Sequence, residues 1–233
     1  MKRKGFFIAG TDTCVGKTTI AAAIALSLKK KGINVGIMKP FAAASRRYSS
    51  NFNSEDVSKL TLAAEISEKQ EAINPYFSSL PTAPYTASIL KKSNKVDFSG
   101  ALRCYSALAS IHDIMVVEGL GGIMVPLTRK KNLADFAAAT NLPIVIVARF
   151  GLGMINHTLL TLSACYDYNL NVEGIILNDL SSWEGPVKKK AIVKTIEKVS
   201  GVRVLSVVPF IENPAPNIVA YKLKNFPLLN KKL

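Results

Sequence analysis

Cysteine and histidine are scarce in this chain, and their scarcity limits the kinds of site that it can contain. Among 233 residues there are three cysteines and two histidines. The cysteines, Cys14, Cys104 and Cys165, do not have the spacing of metal ligands, and two histidines do not complete such a set. So odd and sparse a cysteine count fits a reducing compartment.

Long hydrophobic runs are also absent, which argues against a membrane-embedded protein. The longest apolar runs, such as residues 142–148, have the length of a β-strand and are far too short to span a bilayer. The basic start at residues 1–4 is followed by an apolar stretch that is too short for a signal peptide. We therefore expect a cytoplasmic protein with no membrane partner.

Acidic residues are few: 16 of them stand against 30 basic residues, giving a formal net charge of +14. Such a charge suggests nucleic-acid binding. However, the basic residues are dispersed along the chain, and no aromatic residues alternate with them as a base-stacking surface would require. We therefore expect no nucleic-acid partner and interpret the charge as a positive field that attracts small anionic substrates.

A packed core is expected, because 48% of the residues are hydrophobic and only 20% are charged. We predict one α/β domain over residues 1–233, a length within the range of single domains. Its tail, after about residue 213, contains prolines and a basic end and is predicted to be loosely ordered. Residues 41–56, rich in small and polar residues, are predicted to form a mobile loop.

Short β-branched runs alternate along the chain with helical patterns, which is typical of a parallel sheet with helices on both faces. The predicted strands are Phe6–Ala9, Asn34–Met38, Ile114–Val117, Ile144–Ala148, Gly174–Leu177 and Val204–Val208. The predicted helices are Lys17–Lys31, Val57–Ile66, Tyr85–Lys91, Gly100–Ser110, Leu133–Thr140, Met154–Tyr168 and Pro186–Val199. Because right-handed crossovers place the carboxyl ends of these strands at one edge, we expect the functional loops to meet there.

The most informative motif is Gly-Thr-Asp-Thr-Cys-Val-Gly-Lys-Thr at residues 10–18. It follows an apolar strand and leads into an alanine-rich helix, the context in which a glycine-bearing loop binds a polyphosphate. Backbone N–H groups and the positive end of the helix dipole would face the phosphates. Lys17 can reach the β- and γ-phosphates, and the Thr18 hydroxyl can bind Mg²⁺. The sequence therefore predicts a P-loop nucleotide site, with one residue more between its glycines than is usual.

Polar residues follow two of the predicted strands at the same edge. Glu118 comes directly after the apolar run at 114–117 and offers Mg²⁺ a carboxylate. Asn178 follows the strand at 174–177 and has the amide donor and acceptor that suit the N6/N7 edge of adenine. Asp179 beside it is interpreted mainly as a brace. The residues after Glu118 leave the backbone open to a substrate, namely Gly119, Gly121 and Gly122.

Several segments together resemble dethiobiotin synthetase: the loop at 10–18, Lys39-Pro40, Val-Glu-Gly-Leu-Gly-Gly at 117–122, Gly-Met-Ile-Asn-His at 153–157 and Asn178-Asp179. They keep the family's order and span nearly the whole chain. The resemblance implies a single-domain P-loop NTPase fold and an ATP-dependent ligase of biotin biosynthesis. Such an enzyme uses Mg²⁺, ATP and CO₂ to close a cyclic urea on 7,8-diaminononanoate, through a carbamate and a carbamic–phosphoric anhydride.

The resemblance also implies roles for individual residues. The catalytic residues would be Thr11, Lys17 and Lys39. The ligands of Mg²⁺ would be Thr18, Asp56 and Glu118, with Glu55 as an alternative to Asp56. The nucleotide would contact Asp12, Thr13, Cys14, Val15, Gly16, Lys17, Thr18, Thr19, Asn178, Asp179, Pro209, Phe210, Ile211 and Asn213. The substrate would contact Ala43, Gly119, Gly121 and Gly122 and, from a partner subunit, Gly153, Met154, Ile155 and Asn156.

This sharing of residues predicts a homodimer with its sites at the interface. His157 is interpreted as a capping or packing residue, the alternative being a catalytic base. Two departures from the family pattern bear on affinity. Ala43 and Ala44 stand where the family usually has Ser-Gly, so a hydroxyl contact is either missing or supplied by Ser45. Cys14 replaces a commonly acidic loop residue.

Three alternative functions share parts of this pattern. A partition-type ATPase has a second lysine in its loop where Thr11 and Asp12 stand here. The synthetase half of a cobyrinic acid amidotransferase is expected to have an attached glutaminase domain, for which the chain is too short. A non-enzymatic, nucleotide-gated module that binds nucleic acid would hydrolyse ATP slowly and without any diamine dependence.

Overall fold

Six parallel strands form the central sheet of the computed structural model, which describes residues 5–44, 48–49, 51–91, 95–183, 188–223 and 226. In chain order the strands are β1 (Gly5–Gly10), β2 (Val35–Met38), β3 (Phe41–Ala43), β4 (Tyr76–Ser78), β5 (Ile114–Gly122), β6 (Ile144–Arg149), β7 (Val172–Asn178) and β8 (Val204–Val208). The order in the sheet is β2-β5-β1-β6-β7-β8, and β3 and β4 form a separate parallel pair. The loop after β1 therefore lies between the ends of β5 and β6.

Helices cover both faces of this sheet. In chain order they are α1 (Lys17–Lys29), α2 (Glu55–Ala64), α3 (Gln70–Ile73), α4 (Pro84–Leu90), α5 (Phe98–Ile111), α6 (Leu133–Thr140), α7 (Met154–Asp167), α8 (Lys189–Ser200) and α9 (Pro216–Ala220). One face carries α1, α2 and α9, and the other carries α5 to α8. Within the described residues, no helix combines the length and the apolar character needed to cross a membrane.

Strand β1 has apolar side chains on both faces because both faces are covered. Phe7 belongs to the core beneath α5 to α8, whereas Phe6 and Ile8 belong to the core beneath α1. In register, Phe7 lies beside Val117 of β5 and Ile144 of β6. A strand buried in this way has a continuous apolar run instead of an alternating one, and this is the pattern that the sequence displays.

The predicted α/β fold with a parallel sheet is confirmed, and all six predicted strands are present. Strand β5 continues past its predicted end at Val117, because it stays beside β1 as far as the pair formed by Gly10 and Gly122. The predicted helices are also present, although the predicted start of the last one at Pro186 lies outside the described residues. The short elements β3, β4, α3 and α9 were not predicted.

The predicted loop at 41–56 is partly wrong. Residues Phe41–Ala43 form β3, and Glu55 and Asp56 already belong to α2. The Phe41 ring is fully buried, with its centroid 5.0 Å from that of Phe136 in an edge-to-face contact. Burial of this ring orders the chain directly after Lys39. Residues 45–47 and 50, which include Ser45, lie outside the described part of the chain.

The tail after residue 213 is packed where it is described, instead of loosely ordered. Helix α9 lies against α1, with Val219 and Leu223 fully buried. The Phe226 ring centroid lies 4.7 Å from that of Phe6 in β1. Burial of these apolar side chains stabilises the tail, although its prolines had led us to predict loose order. Residues 224–225 and 227–233 lie outside the described residues.

Candidate active site

The loop between β1 and α1 is held in place at both of its ends. At its start the backbone N–H of Thr11 donates to the carbonyl of Val147 in β6 at 3.0 Å. At its end Gly16 has a φ of 91°, the left-handed conformation that favours glycine. A Cβ at this position would also collide with the amide nitrogen of Asn178. The loop conformation therefore requires glycine at residue 16.

Side chains of the predicted nucleotide-binding loop differ in what they can offer a ligand. Asp12, Thr13 and Cys14 are exposed, whereas the Val15 side chain is buried and can contribute only its backbone. Thr18 and Thr19 are half-buried in the first turn of α1. The exposed loop tip with the helix start behind it has the form of an anion-binding site.

Lys17 is almost fully buried inside the loop, and its ammonium group donates to the carbonyl of Asp12 at 2.7 Å. Burial lowers the pKa of Lys17 from 10.5 to about 8, with the charge of Lys39 contributing, although Glu118 opposes the shift. The charged form is therefore costly in this position without an anionic partner. Phosphate oxygens would provide such a partner.

Beside the loop, one buried lysine joins two carboxylates that come from distant parts of the chain. The ammonium of Lys39 lies 2.6 Å from Oε1 of Glu118 and 2.7 Å from Oδ2 of Asp56. Thr18 donates its hydroxyl to the same Glu118 oxygen at 2.8 Å. The structure thus brings together all three predicted Mg²⁺ ligands and one predicted catalytic lysine. Lys39 is a buried member of this cluster and not a surface lysine at a strand end.

The choice between Glu55 and Asp56 is clear from their contacts. Glu55 is exposed and pairs with Lys59 one helical turn later, at 2.7 Å. Asp56 instead reaches Lys39 at the sheet edge. Asp56 is therefore the acidic residue of α2 that belongs to the site.

The pKa values in this cluster are set by burial and by its mutual charges. Burial alone would raise the pKa of Asp56, but the charge of Lys39 and the hydrogen bond from Lys39 hold it below its usual value. Burial alone would lower the pKa of Lys39, but the two carboxylates raise it. Burial raises the pKa of Glu118, with Lys39 opposing and Asp56 adding to the effect. One lysine therefore does not fully neutralise two carboxylates.

This donor set fits the Mg²⁺ ion that the family resemblance implies. The second carboxylate oxygen of Glu118, Oε2, is buried and has no hydrogen-bond partner among the described residues. Such an oxygen is costly to leave unpaired, and Mg²⁺ prefers hard oxygen ligands. The site offers two carboxylates and the Thr18 hydroxyl. It is not a cage of three or more His, Cys, Asp or Glu ligands, and the described residues contain no such cage. Few protein ligands suit an ion that keeps several waters.

The three glycines after Glu118 are not equivalent. Gly119 faces the core, where a Cβ would lie 2.9 Å from Leu133 and 3.2 Å from the Phe7 ring. Packing therefore explains the absence of a side chain there. At Gly121, with a φ of 62°, a Cβ would lie 2.9 Å from Val125 and 3.4 Å from the side chain of Thr13. At Gly122 a Cβ would lie 3.6 Å from the carbonyl oxygen of Thr11. Of the three, the last two border the phosphate loop.

Asn178 and Asp179 have different roles at the end of β7. Asn178 is buried and donates from Nδ2 to the carbonyl of Val15 at 3.1 Å, which fixes its amide over the loop. Burial alone would raise the pKa of Asp179, but hydrogen bonds from Lys189 and from the backbone N–H groups of Trp183 and Ser181 hold it below its usual value. The Asp179 carboxylate is thus committed to bracing its own loop.

The remaining predicted contacts flank this edge. Residues Pro209 and Phe210 are exposed after β8, Ile211 is half-buried and Asn213 is exposed, so all can border a ligand. Ala43 ends β3 and is half-buried. Their positions follow from the strands that precede them, and their contacts with a nucleotide or substrate stay predictions.

The segment at the start of α7 is only partly available to a ligand. Gly153, with a φ of 83°, caps the helix, Ile155 is half-buried and Asn156 is exposed. The Met154 side chain is buried in the core, so only its backbone can serve a substrate. His157 is exposed instead of packed.

Two further residues of this edge were not singled out from the sequence. Asn74 is buried and donates from Nδ2 to the carbonyls of Lys39 and Tyr76, at 2.7 and 3.0 Å, which anchors the chain that carries Lys39. Arg149 ends β6 and lines a small cleft together with Thr11 and Asp12. A polar residue directly after an apolar run was the available signal for Arg149, as it was for Glu118.

A parallel sheet whose first strand leads into a glycine-bearing loop that ends in Lys17 and Thr18 is the arrangement of the P-loop nucleotide-binding proteins. Comparisons with known proteins agree: residues 4–216 match the family model described as AAA domain. The ATP-dependent dethiobiotin synthetase BioD of Nitrosopumilus maritimus is 40% identical over 211 residues, 90% of either chain. That of Bacillus licheniformis is 37% identical over 95% of this chain and 92% of the relative. The chain therefore belongs to the dethiobiotin synthetase family.

Solved structures support the same fold. The septum site-determining protein MinD from Pyrococcus horikoshii, complexed with Mg-ADP, aligns with a TM-score of 0.56, 15% identity and full coverage of both chains. A ParA family ATPase from Chlorobium tepidum aligns with a TM-score of 0.53 and 18% identity, covering 96% of this chain and 91% of its own. At such identity the likeness concerns the fold alone.

Proposed function

We propose that this protein is an ATP-dependent dethiobiotin synthetase that acts in biotin biosynthesis, with the cytoplasm as its location. It would carboxylate 7,8-diaminononanoate with CO₂ and close the ring to dethiobiotin, releasing ADP and phosphate. The observation that carries the proposal is the cluster in which buried Lys39 and Glu118 meet half-buried Asp56 and Thr18, beside Lys17 of the phosphate loop. This arrangement, in a member of the family, has the charges that phosphoryl transfer to a carbamate requires.

The proposed sequence of steps needs no protein nucleophile. One amine of the substrate captures CO₂ as a carbamate, and a carbamate oxygen then attacks the γ-phosphorus of ATP, with ADP leaving. The second amine attacks the carbonyl carbon of the resulting mixed anhydride, closes the ring and expels phosphate. Catalysis therefore depends on alignment and on neutralisation of negative charge.

Individual side chains match these demands. Lys17 would neutralise the charge that grows between the β- and γ-phosphates, which would also offset the cost of its burial. Lys39, held by its two carboxylates, would orient the carbamate against the γ-phosphate, and Thr11 would contact the same region. Thr18, Asp56 and Glu118 would hold Mg²⁺. Bound there, the ion would supply further neutralisation of the triphosphate.

We also propose that the protein is a homodimer whose sites lie at the interface. Leu152, at the start of the α7 segment, is 97% exposed, and Leu160 and Tyr166 of α7 are also exposed. Large apolar side chains at this density are typical of a surface that contacts another chain. Sedimentation velocity would test this, since a monomer at micromolar concentration would contradict it.

The primary experiment measures ADP release with ATP, Mg²⁺ and bicarbonate, with and without 7,8-diaminononanoate. We expect strong dependence on the diamine and a product in which one carbonyl group has replaced two hydrogens, detected by mass spectrometry. Equal ATP hydrolysis with and without the diamine would contradict the proposal and favour a partition-type ATPase. As variants, Lys17→Ala and Glu118→Gln should abolish turnover while retaining the far-UV circular dichroism of the fold.

A further inference from the structure

Arg149 is the last residue of β6, at the edge where the phosphate loop lies. Val145 and Val147 of the same strand belong to the core on the α1 face, so strand alternation directs Arg149 to that face as well. It is the one exposed residue of a strand that is otherwise buried. The side chain lies in a cleft between the phosphate loop and the start of α7.

The backbone on either side of Arg149 is fixed relative to the loop. Val147, two residues earlier, accepts from the N–H of Thr11 at 3.0 Å. Phe150, the next residue, donates to the carbonyl of Asn178 at 2.8 Å. A side chain on such a rigid base is directed at one place, in contrast to one on a long surface loop.

The guanidinium has no ion pair and no hydrogen bond within the described part of the chain. It lines a cleft with Thr11, Asp12, Thr13 and His157. The acidic residue of this cleft, Asp12, instead accepts from the N–H of Thr13 at 2.6 Å. Arg149 thus presents a permanent positive charge to the phosphate loop, and no carboxylate of the described residues forms an ion pair with it.

We propose that Arg149 is a substrate-binding residue whose guanidinium contacts an anionic oxygen during the reaction. A planar guanidinium donates two parallel hydrogen bonds to a carboxylate or to a phosphate. Both occur among the substrates of the proposed function, on which this inference depends: the diamine has a carboxylate at its far end, and ATP has its phosphates. The shared chemistry is bidentate binding of an oxyanion.

Steady-state kinetics of Arg149→Met and Arg149→Lys tests the inference, with Arg203→Met as the matched control. Arg203 is also exposed but precedes β8, at the opposite edge of the sheet. We expect Arg149→Met to raise the KM for one substrate about tenfold to a hundredfold, since a charge-assisted pair is lost. Arg149→Lys should fall between, and Arg203→Met should match the wild type.

A diamine without the carboxylate, 2,3-diaminooctane, distinguishes the two sources of the oxyanion. If Arg149 binds the carboxylate, the wild-type preference for 7,8-diaminononanoate over this analogue shrinks in Arg149→Met. If it binds phosphate, the KM for ATP rises and the preference is kept. Values of KM within about twofold of the wild type for both substrates would overturn the inference. If the wild-type protein is inactive with any diamine, the proposed function and the carboxylate case are both overturned. The phosphate case is then decided by calorimetry, which compares the Kd for ATP of the wild type with that of Arg149→Met.

Discussion

Lys39 donates to Glu118 at 2.6 Å although both side chains are almost completely buried. Taking two charges out of water costs several kcal/mol per ion, which a single ion pair seldom repays. Here the cost is shared, because Asp56 and Thr18 also bind the pair. The cluster has two carboxylates for one lysine, and the second carboxylate oxygen of Glu118 has no hydrogen-bond partner among the described residues. That oxygen is available to one further cation.

Removing the lysine should destabilise the protein strongly. Lys39→Met leaves Glu118 buried without its counter-ion, and breaking a buried pair in this way costs about 3–5 kcal/mol. Urea denaturation at neutral pH would measure the loss. The double variant Lys39→Met/Glu118→Gln should regain more than half of it, because no uncompensated buried charge remains.

Lys59→Met is the control for this prediction. Lys59 forms an ion pair with Glu55 on the exposed face of α2, and such pairs contribute about 0–1 kcal/mol. A Lys39→Met variant that is no less stable than Lys59→Met would contradict the claim that the buried cluster is tightly coupled.

Adjacent acidic residues in α2 should differ in their effect on the Mg²⁺ requirement. Asp56→Asn removes a carboxylate of the cluster, so the Mg²⁺ concentration for half-maximal activity should rise about tenfold or more. Glu55→Gln changes only an exposed pair with Lys59 and should leave it unchanged. Titration of activity with Mg²⁺ at saturating ATP gives both values. An equal response of the two variants would show that Asp56 is not a ligand.

Lys17→Met should make the unliganded protein more stable while abolishing turnover. The pKa of Lys17 is about 8 in the fold and 10.5 as its ordinary value, so the unfolded chain binds the proton more tightly. The charge therefore opposes folding below pH 8, and this cost disappears as the pH rises through the window from 8 to 10.5. The shift in the pKa corresponds to at most about 3 kcal/mol in the free energy of unfolding that the variant gains. Loss of the hydrogen bond to Asp12 lowers this gain by about 1 kcal/mol.

Urea denaturation of wild type and Lys17→Met at neutral and at alkaline pH would measure this difference. The variant should be more stable by about 2 kcal/mol near pH 7, and the gain should vanish before the upper end of the window is reached. A gain that does not depend on pH would mean that packing of the methionine, and not removal of a buried charge, is responsible.

Sequence alone predicted the parallel sheet and the meeting of Thr18 and Glu118, because the reasons are local. Strands buried on both faces have continuous apolar runs, and their carboxyl ends must share one edge. Glu118 directly after such a run was therefore assignable to the site. In the same way, the motif that contains Lys17 and Thr18 assigned the loop at residues 10–18 to the site.

Other features depend on contacts between distant segments and had no local signal. Strands β3 and β4 have three residues each, too few to show a period, and they are ordered by burial of Phe41. The burial of Met154 arises from packing in the core on the face that carries α5 to α8. Lys39 was expected to point at ligands, but its pairing with two carboxylates depends on the packing of α2 against α1 and β2.

Gly16→Ala should abolish nucleotide binding through one contact. The residue has a φ of 91°, and its Cβ would collide with the amide nitrogen of Asn178, which is itself buried. Gly32→Ala is a matched control, because Gly32 has a similar φ of 77° but no atom within 4 Å of the added Cβ. Backbone strain of about 1–2 kcal/mol is common to both variants, so any further loss of stability in Gly16→Ala reports the collision. Calorimetry should find the Kd for ATP unchanged in Gly32→Ala and raised more than about a hundredfold in Gly16→Ala. If the two variants bind ATP with equal affinity, the loop can move away from Asn178.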